Sequence, residues 1–465
     1  MQQQNSGGRS FQSRNPFTNQ VTAEFSFLTN EELNKQIERS WQAFKSYRET
    51  DIATRRERLL KLASIIDENA EKYGQIVTEE MGKPYTAAVL EVKKAATHCR
   101  YYAENAEKYL EPKLVTTENQ KAQVEYHPLG PIFHICPFNF PFFLVFKGGI
   151  PALLMGNTLL HRPADSTPRV GKAVEELMIQ AGFNNGEFIT IYSSQEQTET
   201  VLAHKYTRGV SFTGSTRAGR IIASIAGKYA KKAVMELGGS DPFIVLDDAD
   251  LGKAVDLAML SRLGNGGQVC FSGKRFLVDD KVYEQFKEKL LQKLPDYKVG
   301  NPMNKDTLLG PLARADLLEN IQRQVNEGVS QGGKVLFGGK KPEGEELKNG
   351  NFFLPTLCEV DRENILMKEE TFGPVFALTK VNGENDAVDV ANDTEYGLGC
   401  VIVSENRERA EKIGKNIDSG FVFVNTVVRS DSRLPSGGVK GSGFGRECGE
   451  YGLYEFANVK TVVIN

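Results

Sequence analysis

The sequence predicts an α/β protein that is built on parallel sheets and divided between two domains. Its 465 residues are 40% hydrophobic and 25% charged, which is typical of globular proteins and leaves room for two or three domains. Short apolar runs alternate with helical patterns in two blocks, the first beginning near Pro131 and the second near Pro242. This alternation is typical of parallel sheets with crossover helices, so we expect each block to form such a sheet.

The first half of the chain begins with helices and then enters the first block. Residues 30–69 have a helical pattern, and Asn30, followed by two glutamates, fits an N-cap. A second helix is expected at 86–110, and residues 114–127 alternate in part, as an exposed or interface strand does. The first block predicts strands at 132–135, 158–160, 188–191 and 209–212 and helices at 142–155, 170–181 and 218–231.

The second block and the end of the chain contribute the remaining elements. Residues 332–350 are rich in glycine and predict a segment that is rich in loop. Residues 459–464 have the pattern of a strand without an obvious partner, and together with 114–127 they could build a sheet shared between subunits. The block itself predicts strands at 242–246, 276–278, 375–378 and 421–424 and an amphipathic helix at 282–294.

Composition and charge exclude several classes of protein. The net charge of −3 and the pI near 6.1 indicate no nucleic-acid and no membrane partner, and no apolar run reaches transmembrane length. The cysteines are scattered without a CxxC pair and the histidines form no metal-spaced cluster, so we expect free thiols, a reducing compartment such as the cytoplasm, and no metal site. Residues 1–21 contain Arg9 and Arg14 but no acid, which leaves a transit peptide as the alternative.

Cys270 is the most informative single residue. It lies between a glycine-rich approach and a group of small and basic residues, in the run NGGQVCFSGKR at 265–275. Glycines allow a substrate to come close, and nearby cations favour the thiolate. A buried structural cysteine is the commoner alternative, so the residues elsewhere in the chain decide between the two.

Two glycine-containing runs supply groups that could accompany a nucleophile. In FTGSTRAG at 212–219, Gly214 and Ser215 follow a strand and open a helix, where backbone N–H groups could hold a pyrophosphate. In MELGG at 235–239, Glu236 could act as a general base. An ordinary serine N-cap and a salt-bridged glutamate are the commoner explanations for each run alone.

Two further runs could stabilise a reacting group and a cofactor. In PFNFP at 137–141, the amide of Asn139 is held between two prolines and could stabilise an oxyanion. In EETFGP at 369–374, a carboxylate could bind sugar hydroxyls and Phe372 could pack on a flat ring. A turn asparagine and a core phenylalanine are the commoner explanations for these two runs taken singly.

Together and in this order, the runs resemble the NAD(P)-dependent aldehyde dehydrogenase superfamily over essentially the whole chain. The thiol, glutamate and glycine motifs in combination are specific to that family. The supporting runs are EMGKP at 80–84, PFNFP at 137–141, FTGST at 212–216, MELGG at 235–239, GQVC at 267–270, EETFGP at 369–374 and PSGGVKGSGFGRECGEYGL at 435–453.

The resemblance implies a covalent mechanism. Cys270 matches the nucleophile, which forms a thiohemiacetal and, after hydride transfer, a thioester. Asn139 and the backbone N–H of Cys270 match the oxyanion hole, and Glu236 matches the base that activates the hydrolytic water. Lys83, in the EMGKP run, is assigned no chemistry.

The resemblance also implies a cofactor, either NAD or NADP. Where the family often has Lys-Pro-Ala-Glu, this chain has Arg162-Pro-Ala-Asp165, and both residues are assigned to the adenine ribose. The carboxylate of Asp165 disfavours a 2′-phosphate whereas Arg162 favours one, and the prediction favours NAD. The other cofactor-binding residues that the resemblance implies are Gly214, Ser215, Glu370 and Phe372.

The fold implied by the resemblance has two parallel-sheet α/β domains and a β oligomerisation arm. Residues 1–109 and 129–237 would form the NAD(P)-binding domain, and residues 238–449 the catalytic domain. Residues 110–128 and 450–465 would form the arm of a homodimer or homotetramer.

The substrate is predicted from one run near the end of the chain. Residues 428–435 resemble the bacterial-type succinate-semialdehyde dehydrogenases, so the expected substrate is succinate semialdehyde, a small aldehyde with a carboxylate tail. Such a tail needs a cation and hydroxyls at the far end of the tunnel. The candidates are Lys147, Arg262 and Ser430, followed by Arg429 and Arg433; for most of the arginines a salt bridge is the commoner role.

Three alternatives to this function are considered. The first is an aldehyde dehydrogenase for other small or aliphatic aldehydes. The second is a CoA-acylating relative, against which Glu236 argues because such relatives usually lack this base. The third is a non-catalytic relative, against which the intact Cys270, Glu236 and Asn139 argue.

Overall fold

A computed structural model describes residues 8–118 and 120–465 of the chain. Residues 1–7, which belong to the stretch considered as a transit peptide, lie outside the described residues. Among the described residues, no helix is both long and apolar enough to cross a membrane.

The secondary structure alternates between helices and strands along most of the chain. The strands are β1 (Ser10–Arg14), β2 (Val21–Ser26), β3 (Lys113–Leu114), β4 (Lys121–Pro128), β5 (Pro131–Ile135), β6 (Thr158–Arg162), β7 (Phe188–Thr190), β8 (Gly209–Thr213), β9 (Lys232–Glu236), β10 (Asp241–Val245), β11 (Gly273–Asp279), β12 (Lys334–Phe337), β13 (Thr356–Glu359), β14 (Val375–Val381), β15 (Val401–Val403), β16 (Phe423–Val424), β17 (Gly443–Phe444) and β18 (Ala457–Ile464). The helices are α1 (Asn30–Tyr47), α2 (Ile52–Glu68), α3 (Ala70–Met81), α4 (Tyr85–Leu110), α5 (Phe143–Met155), α6 (Pro168–Ala181), α7 (Thr198–Ala203), α8 (Thr216–Lys228), α9 (Leu251–Leu263), α10 (Tyr283–Lys293), α11 (Ala315–Ser330), α12 (Ile365–Lys368), α13 (Gly383–Asn392), α14 (Arg407–Gly414) and α15 (Gly449–Tyr454).

The first predicted block forms a sheet with the strand order β17-β9-β8-β5-β6-β7. The strands from β9 to β7 are parallel, and β17, which comes from near the end of the chain, pairs antiparallel with β9. Neighbours in this sheet are joined through helices such as α5 between β5 and β6 and α8 between β8 and β9. The parallel sheet predicted from the alternation of strands and helices is confirmed.

The second block forms a sheet with the strand order β12-β13-β14-β11-β10-β15-β16. All neighbouring strands are parallel except β12, which pairs antiparallel with β13 at the edge. The mixed α/β class with two parallel sheets is therefore confirmed. The exact domain boundaries stay a prediction.

Both sheets are covered on their two faces, because successive side chains of a strand point to opposite sides. On β5, Ile132 packs into one apolar cluster with helices α2 to α6, whereas Phe133 packs into another on the opposite face. On β10, Ile244 and Phe243 are divided in the same way between two further clusters. The carboxyl ends of the strands are left to meet the loops, where ligands of open parallel sheets bind.

The strand predicted at the end of the chain has a partner within the same chain. β18 pairs antiparallel with β4 along its whole length, and β3 completes a small sheet on the other side of β4. Val459, Val463 and Ile464 on β18 are more than half exposed. A shared sheet between subunits would therefore extend an arm that is already formed.

One local expectation is wrong. The cap of α1 is Thr29 and not Asn30: the Thr29 hydroxyl accepts the N–H of Glu32 at 3.2 Å, and the Glu32 carboxylate accepts the N–H of Thr29 at 2.7 Å. In this reciprocal capping box, the side chain of each residue accepts the backbone N–H of the other. A single asparagine cap does not provide both hydrogen bonds. The stretch at 332–350, expected to be rich in loop, contains one short strand, β12.

Candidate active site

A cavity of about 530 Å³ is lined by the ends of β8 and β9, by helices α4, α5 and α11, and by loops that include the one before β11. A larger depression of about 1020 Å³ lies along α11 and contains none of the predicted site residues. The smaller cavity brings together most of the residues predicted from the sequence, namely Cys270, Glu236, Asn139, Gly214, Ser215, Glu370, Phe372, Lys147 and Ser430.

The loop that carries Cys270 connects α9 to β11 and has an unusual backbone. Asn265, Gly266 and Gly267 have φ angles of 54°, 66° and 73°, a left-handed conformation that favours glycine and asparagine. A Cβ atom at Gly267 would collide with the backbone of Gly373. The glycines of this run therefore allow the cysteine loop to lie directly against the EETFGP segment.

Asn139 lies in the loop after β5 and is bonded to the cysteine loop. Its Nδ2 donates to the carbonyl oxygen of Gln268 at 2.9 Å. Asn265 Nδ2 in turn donates to the carbonyl oxygen of Asn139 at 2.9 Å. The amide of Asn139 has two hydrogens, so one of them holds the loops together and the second is left for an oxygen in the cavity.

A buried ion pair holds the loop of Asn139 in place. One oxygen of Glu91, on α4, accepts the backbone N–H groups of Phe142 and Phe143 at 2.9 and 3.0 Å. Its other oxygen forms an ion pair with Lys83, whose ammonium lies 4.0 Å from the ring centroid of Phe140. Lys83, to which the sequence assigned no chemistry, thus takes part in fixing the loop.

Glu236 is the last residue of β9 and is buried in the wall of the cavity. Its Oε2 lies 3.5 Å from the ammonium of Lys147, and that ammonium lies 2.8 Å from Oε2 of Glu447. Its Oε1 accepts no hydrogen bond from the described residues. One cation is therefore shared by two buried carboxylates, and one oxygen of Glu236 remains available.

The buried position of Glu236 changes its acidity. Burial raises the pKa of its carboxyl to about 7, against the attraction of Lys147 and with the repulsion of Glu447 adding to the rise. Burial alone would lower the pKa of Lys147, but the attraction of Glu447 and Glu236 raises it well above its usual value. At neutral pH Lys147 is charged, and Glu236 is poised between its two forms.

The thiol of Cys270 is also affected by burial. Burial raises its pKa to about 12, although the ammonium groups of Lys274 and Lys147 act in the opposite direction. The expectation that nearby cations favour the thiolate is therefore outweighed in this structure. The thiol must lose its proton to a base at the moment of attack, and Glu236 is a carboxylate in the same cavity with a pKa suited to that transfer.

At the other end of the cavity, the wall is formed by glycines and by the start of a helix. Ser215 caps α8, accepting the N–H of Ala218 at 3.3 Å. A Cβ atom at Gly214 would collide with the ring of Phe212, and one at Gly238 would collide with the carboxylate of Glu370. The N–H of Gly214 donates to the carbonyl oxygen of Glu236 at 3.0 Å, so the N-terminus of α8 is the part of this end that fits a dinucleotide pyrophosphate.

Glu370 and Phe372 lie beside this end of the cavity. Glu370 Oε1 accepts the N–H of Gly239 at 3.1 Å and lies 3.5 Å from the ammonium of Lys274. Phe372 meets the ring of Phe138 edge-on, with centroids 6.0 Å apart. The carboxylate and the aromatic face are thus held next to the glycine-rich strand end, as a ribose and a planar ring require.

Arg162 and Asp165 lie outside the cavity lining and bond to one another. Arg162 is the last residue of β6, and its Nη2 lies 2.8 Å from Oδ1 of Asp165. Its Nε donates to the carbonyl oxygen of Ser193 at 2.9 Å. The charge of Asp165 is therefore partly neutralised by its neighbour.

The predicted substrate-binding residues are not all brought together. Ser430 lines the cavity, and its buried hydroxyl has no hydrogen-bond partner among the described residues. Arg262 does not line it: the side chain is completely buried and donates to the hydroxyl of Ser272 at 2.7 Å and to the carbonyl oxygens of Thr371 and Gly373. Arg262 therefore supports the segment that carries Phe372 instead of facing a substrate.

Comparison with known proteins decides the family. A sequence model of the aldehyde dehydrogenase family matches residues 2–462. The chain belongs to the aldehyde dehydrogenase family. The resemblance inferred from the motifs is confirmed, and with it the prediction of an oxidoreductase that acts on aldehydes.

Individual relatives of this aldehyde dehydrogenase are similar over nearly the whole chain. It is 38% identical over 451 residues to a protein of Synechocystis sp. named a probable succinate-semialdehyde dehydrogenase for NADP(+), covering 97% of this chain and 98% of that protein. It is 37% identical over 449 residues to the succinate semialdehyde dehydrogenase for NAD(P)+ of Escherichia coli, covering 96% of each. The crystal structure of the succinic semialdehyde dehydrogenase of Streptococcus pyogenes with NADP+ superposes with a TM-score of 0.95 at 36% identity, covering 98% of this chain and 99% of that one.

Several residues that shape the site of this aldehyde dehydrogenase escaped sequence reasoning. Asn265 joins the two catalytic loops, and the run of asparagine and glycines around it was a signal for left-handed backbone. Glu91 and Lys94 line the cavity from α4, where helical spacing alone does not tell which face meets a site. Glu447 reaches Lys147 only through the pairing of β17 with β9, which no local pattern indicates.

Proposed function

We propose that this aldehyde dehydrogenase oxidises succinate semialdehyde to succinate with NAD(P)+, through a thioester on Cys270. The observation that carries the proposal is the presence of a thiol, an amide donor and a carboxylate with a pKa of about 7 in one cavity. The names of the relatives from Synechocystis and Escherichia coli support the choice of substrate.

In the first half of the reaction, the sulfur of Cys270 attacks the aldehyde carbon. The S–H proton passes to a base, for which Glu236 is suited, and the C=O π bond breaks to leave a thiohemiacetal oxyanion. The free N–H of Asn139 and the backbone N–H of Cys270 would stabilise this oxygen. When the oxygen re-forms its double bond, the aldehyde hydrogen leaves as hydride and a thioester remains. A nicotinamide held beside Glu370 and Phe372 would supply the hydride acceptor.

In the second half, water cleaves the thioester. Once Glu236 has released the thiol proton to solvent, its carboxylate removes a proton from the water, and the water oxygen adds to the acyl carbon. The C–S bond then breaks, so that the carboxylic acid leaves and Cys270 recovers its proton. Lys147 has the geometry to hold Glu236 in place during this step, since its ammonium contacts both Glu236 and Glu447.

For the cofactor, the residues at the glycine-rich end fit a dinucleotide, and we infer that both NAD and NADP are accepted. The preference for NAD rested on the charge of Asp165, but Arg162 neutralises part of that charge and can also meet a 2′-phosphate. The names of several relatives specify NADP(+). A comparison of kcat/KM with the two cofactors decides the ratio.

For assembly and location, we propose a homo-oligomer that forms through the sheet of β18, β4 and β3. The exposed apolar side chains of β18 support this assignment, because an open strand edge with apolar residues favours pairing with a second copy. Free cysteines fit the reducing cytoplasm, and those of the described residues form no disulfide.

The experiment is a kinetic panel that follows the absorbance of the reduced cofactor. Succinate semialdehyde and butanal, an uncharged aldehyde with the same number of carbons, are compared in the wild type, with Cys270→Ser as the inactive control. We expect a higher kcat/KM for the semialdehyde and no turnover in the control. Equal values for the two aldehydes would remove the semialdehyde assignment, and a requirement for CoA would remove the hydrolytic mechanism.

A further inference from the structure

Of the predicted cations for a substrate carboxylate, Lys147, Arg262 and Arg433 are already paired or buried, and Arg429 is exposed and does not line the cavity. Lys147 contacts two buried carboxylates, so its charge is more than balanced. Arg262 is buried behind the EETFGP segment. Arg433 forms an ion pair with Asp431, at 2.6 Å, and its side chain points to solvent. A carboxylate that enters the cavity needs a different positive charge, because an unpaired buried anion is strongly disfavoured.

Lys94 supplies a positive charge in the wall of the cavity. Four residues of α4 line the cavity at helical spacing, namely Ala87, Leu90, Glu91 and Lys94, so they form one face of the helix. The ammonium of Lys94 lies 4.4 Å from the ring centroid of Phe143. It has no ion-pair partner within 4.0 Å among the described residues, so its charge is uncompensated.

The carboxylates nearest to Lys94 are bound to other groups. Glu91 accepts two backbone N–H groups and pairs with Lys83. Asp431 is held by Arg433 through two hydrogen bonds, at 2.8 and 2.6 Å. Neither carboxylate can pair with Lys94 without losing a bonded partner. The charge of Lys94 therefore stays unpaired in the wall of the cavity.

The electrostatic surroundings show that this charge is costly without a ligand. Burial lowers the pKa of Lys94 to about 8, and repulsion by Lys147 adds to the effect. An anion bound next to these two ammonium groups would offset both the cost of burying Lys94 and its repulsion by Lys147.

A hydroxyl at the same side of the cavity completes the set of donors. Ser430 precedes Asp431, whose charge acts on Lys94, and its hydroxyl lines the cavity. Ser430 is 8% exposed, and its Oγ has no hydrogen-bond partner among the described residues. An unpaired buried hydroxyl and an uncompensated ammonium in the wall of one cavity are the combination that a carboxylate satisfies.

We propose that Lys94 is the residue that binds the distal carboxylate of the substrate, with the hydroxyl of Ser430 as a second donor. The chain would therefore select aldehydes that carry an anionic group at the end remote from the reacting carbon. This inference rests on the proposed function, the oxidation of succinate semialdehyde in the same cavity. It assigns the selectivity to a helix of the first half of the chain.

The test measures kcat/KM for succinate semialdehyde and for butanal in Lys94→Met. We expect kcat/KM for the semialdehyde to fall about 10- to 100-fold, mainly through KM, as the loss of a charge-assisted hydrogen bond requires. Butanal oxidation should stay within about twofold, since the uncharged chain needs no cation. Butanal turnover also shows that the variant is folded.

Two further variants sharpen the result. Lys93→Met changes the adjacent lysine, which is exposed on the outer face of α4, and should leave the ratio of the two kcat/KM values as in the wild type. Lys94→Arg keeps the charge and should retain most of the preference. If Lys94→Met keeps the wild-type preference, Lys94 is not the ligand although the proposed function stands; if the wild type itself has no preference, both proposals fail.

Discussion

The ion triad of Glu236, Lys147 and Glu447 makes the pH dependence of hydrolysis a test of the site. Glu236 acts as a base in its carboxylate form, and its pKa is raised to about 7. Thioester hydrolysis should therefore be fast above pH 7 and should decline as the pH falls through 7. Changing Lys147 to methionine removes the cation that favours the carboxylate, so the midpoint should move to higher pH.

The size of this shift follows from the distance. At 3.5 Å between Lys147 Nζ and Glu236 Oε2, an effective dielectric constant of about 20 gives an attraction of about 5 kcal/mol. One pKa unit corresponds to about 1.4 kcal/mol, so the upper bound is a rise of about three units. Water that enters the cavity and protonation of the second carboxylate reduce this, and we expect a rise of at least about one unit.

The assay follows the steady rate after the first turnover, at saturating aldehyde and cofactor, from about pH 5.5 to about pH 9.5. A burst of reduced cofactor before that rate shows that hydrolysis is the slow step. Glu236→Gln should remove the dependence together with the activity, and Lys93→Met should leave the midpoint in place. A Lys147→Met variant with an unchanged or lower midpoint would refute the assignment of Lys147 as the residue that tunes this base.

Three other predictions test separate parts of the molecule. Glu91→Gln leaves Lys83 buried without its partner, so the free energy of unfolding should fall by about 3–5 kcal/mol in denaturant titrations; an unchanged unfolding midpoint would contradict the role of the pair. Asp165→Ala removes a negative charge near the predicted 2′ position, so the ratio of kcat/KM for NADP to that for NAD should rise severalfold, and a fixed ratio would show that Asp165 does not face the cofactor. Val463→Glu adds a charge to an exposed apolar strand, so light scattering should detect smaller particles than for the wild type, and an unchanged mass would exclude this surface from assembly.

Much of the fold could be predicted because it is encoded locally. The alternation of apolar runs and helical segments predicted both parallel sheets, and most strand positions agree to within a residue or two. The boundaries that failed depend on single hydrogen bonds: Thr29 instead of Asn30 caps α1, and Asp51 starts α2 by accepting the N–H of Thr54 at 2.7 Å. Such choices differ little in free energy and are not visible in a periodic pattern.

The residues of the site that belong to motifs at strand ends could be predicted from the sequence. Glu236 and the Asn139 loop lie at the carboxyl ends of β9 and β5, and the Cys270 loop enters the amino end of β11, so the three residues meet in one cavity. The charge pairing was not predictable, since Lys147 and Glu447 are distant in sequence and only the folded chain brings them within 2.8 Å. Arg262 was also predicted wrongly from its charge. It was expected to bind the substrate, but the side chain is buried and donates to backbone carbonyl groups.

The pairing of β17 with β9 has a consequence for the synthesis of this protein. A ribosome releases the segment with Cys270 long before it makes Gly443–Phe444, the strand that lies beside Glu236, and before it makes Glu447. An unfinished chain therefore contains the thiol but lacks the counterpart that fixes the ammonium next to the base. The reactive centre is completed only by segments that are translated long after Cys270, so a polypeptide that lacks them would not turn over aldehyde.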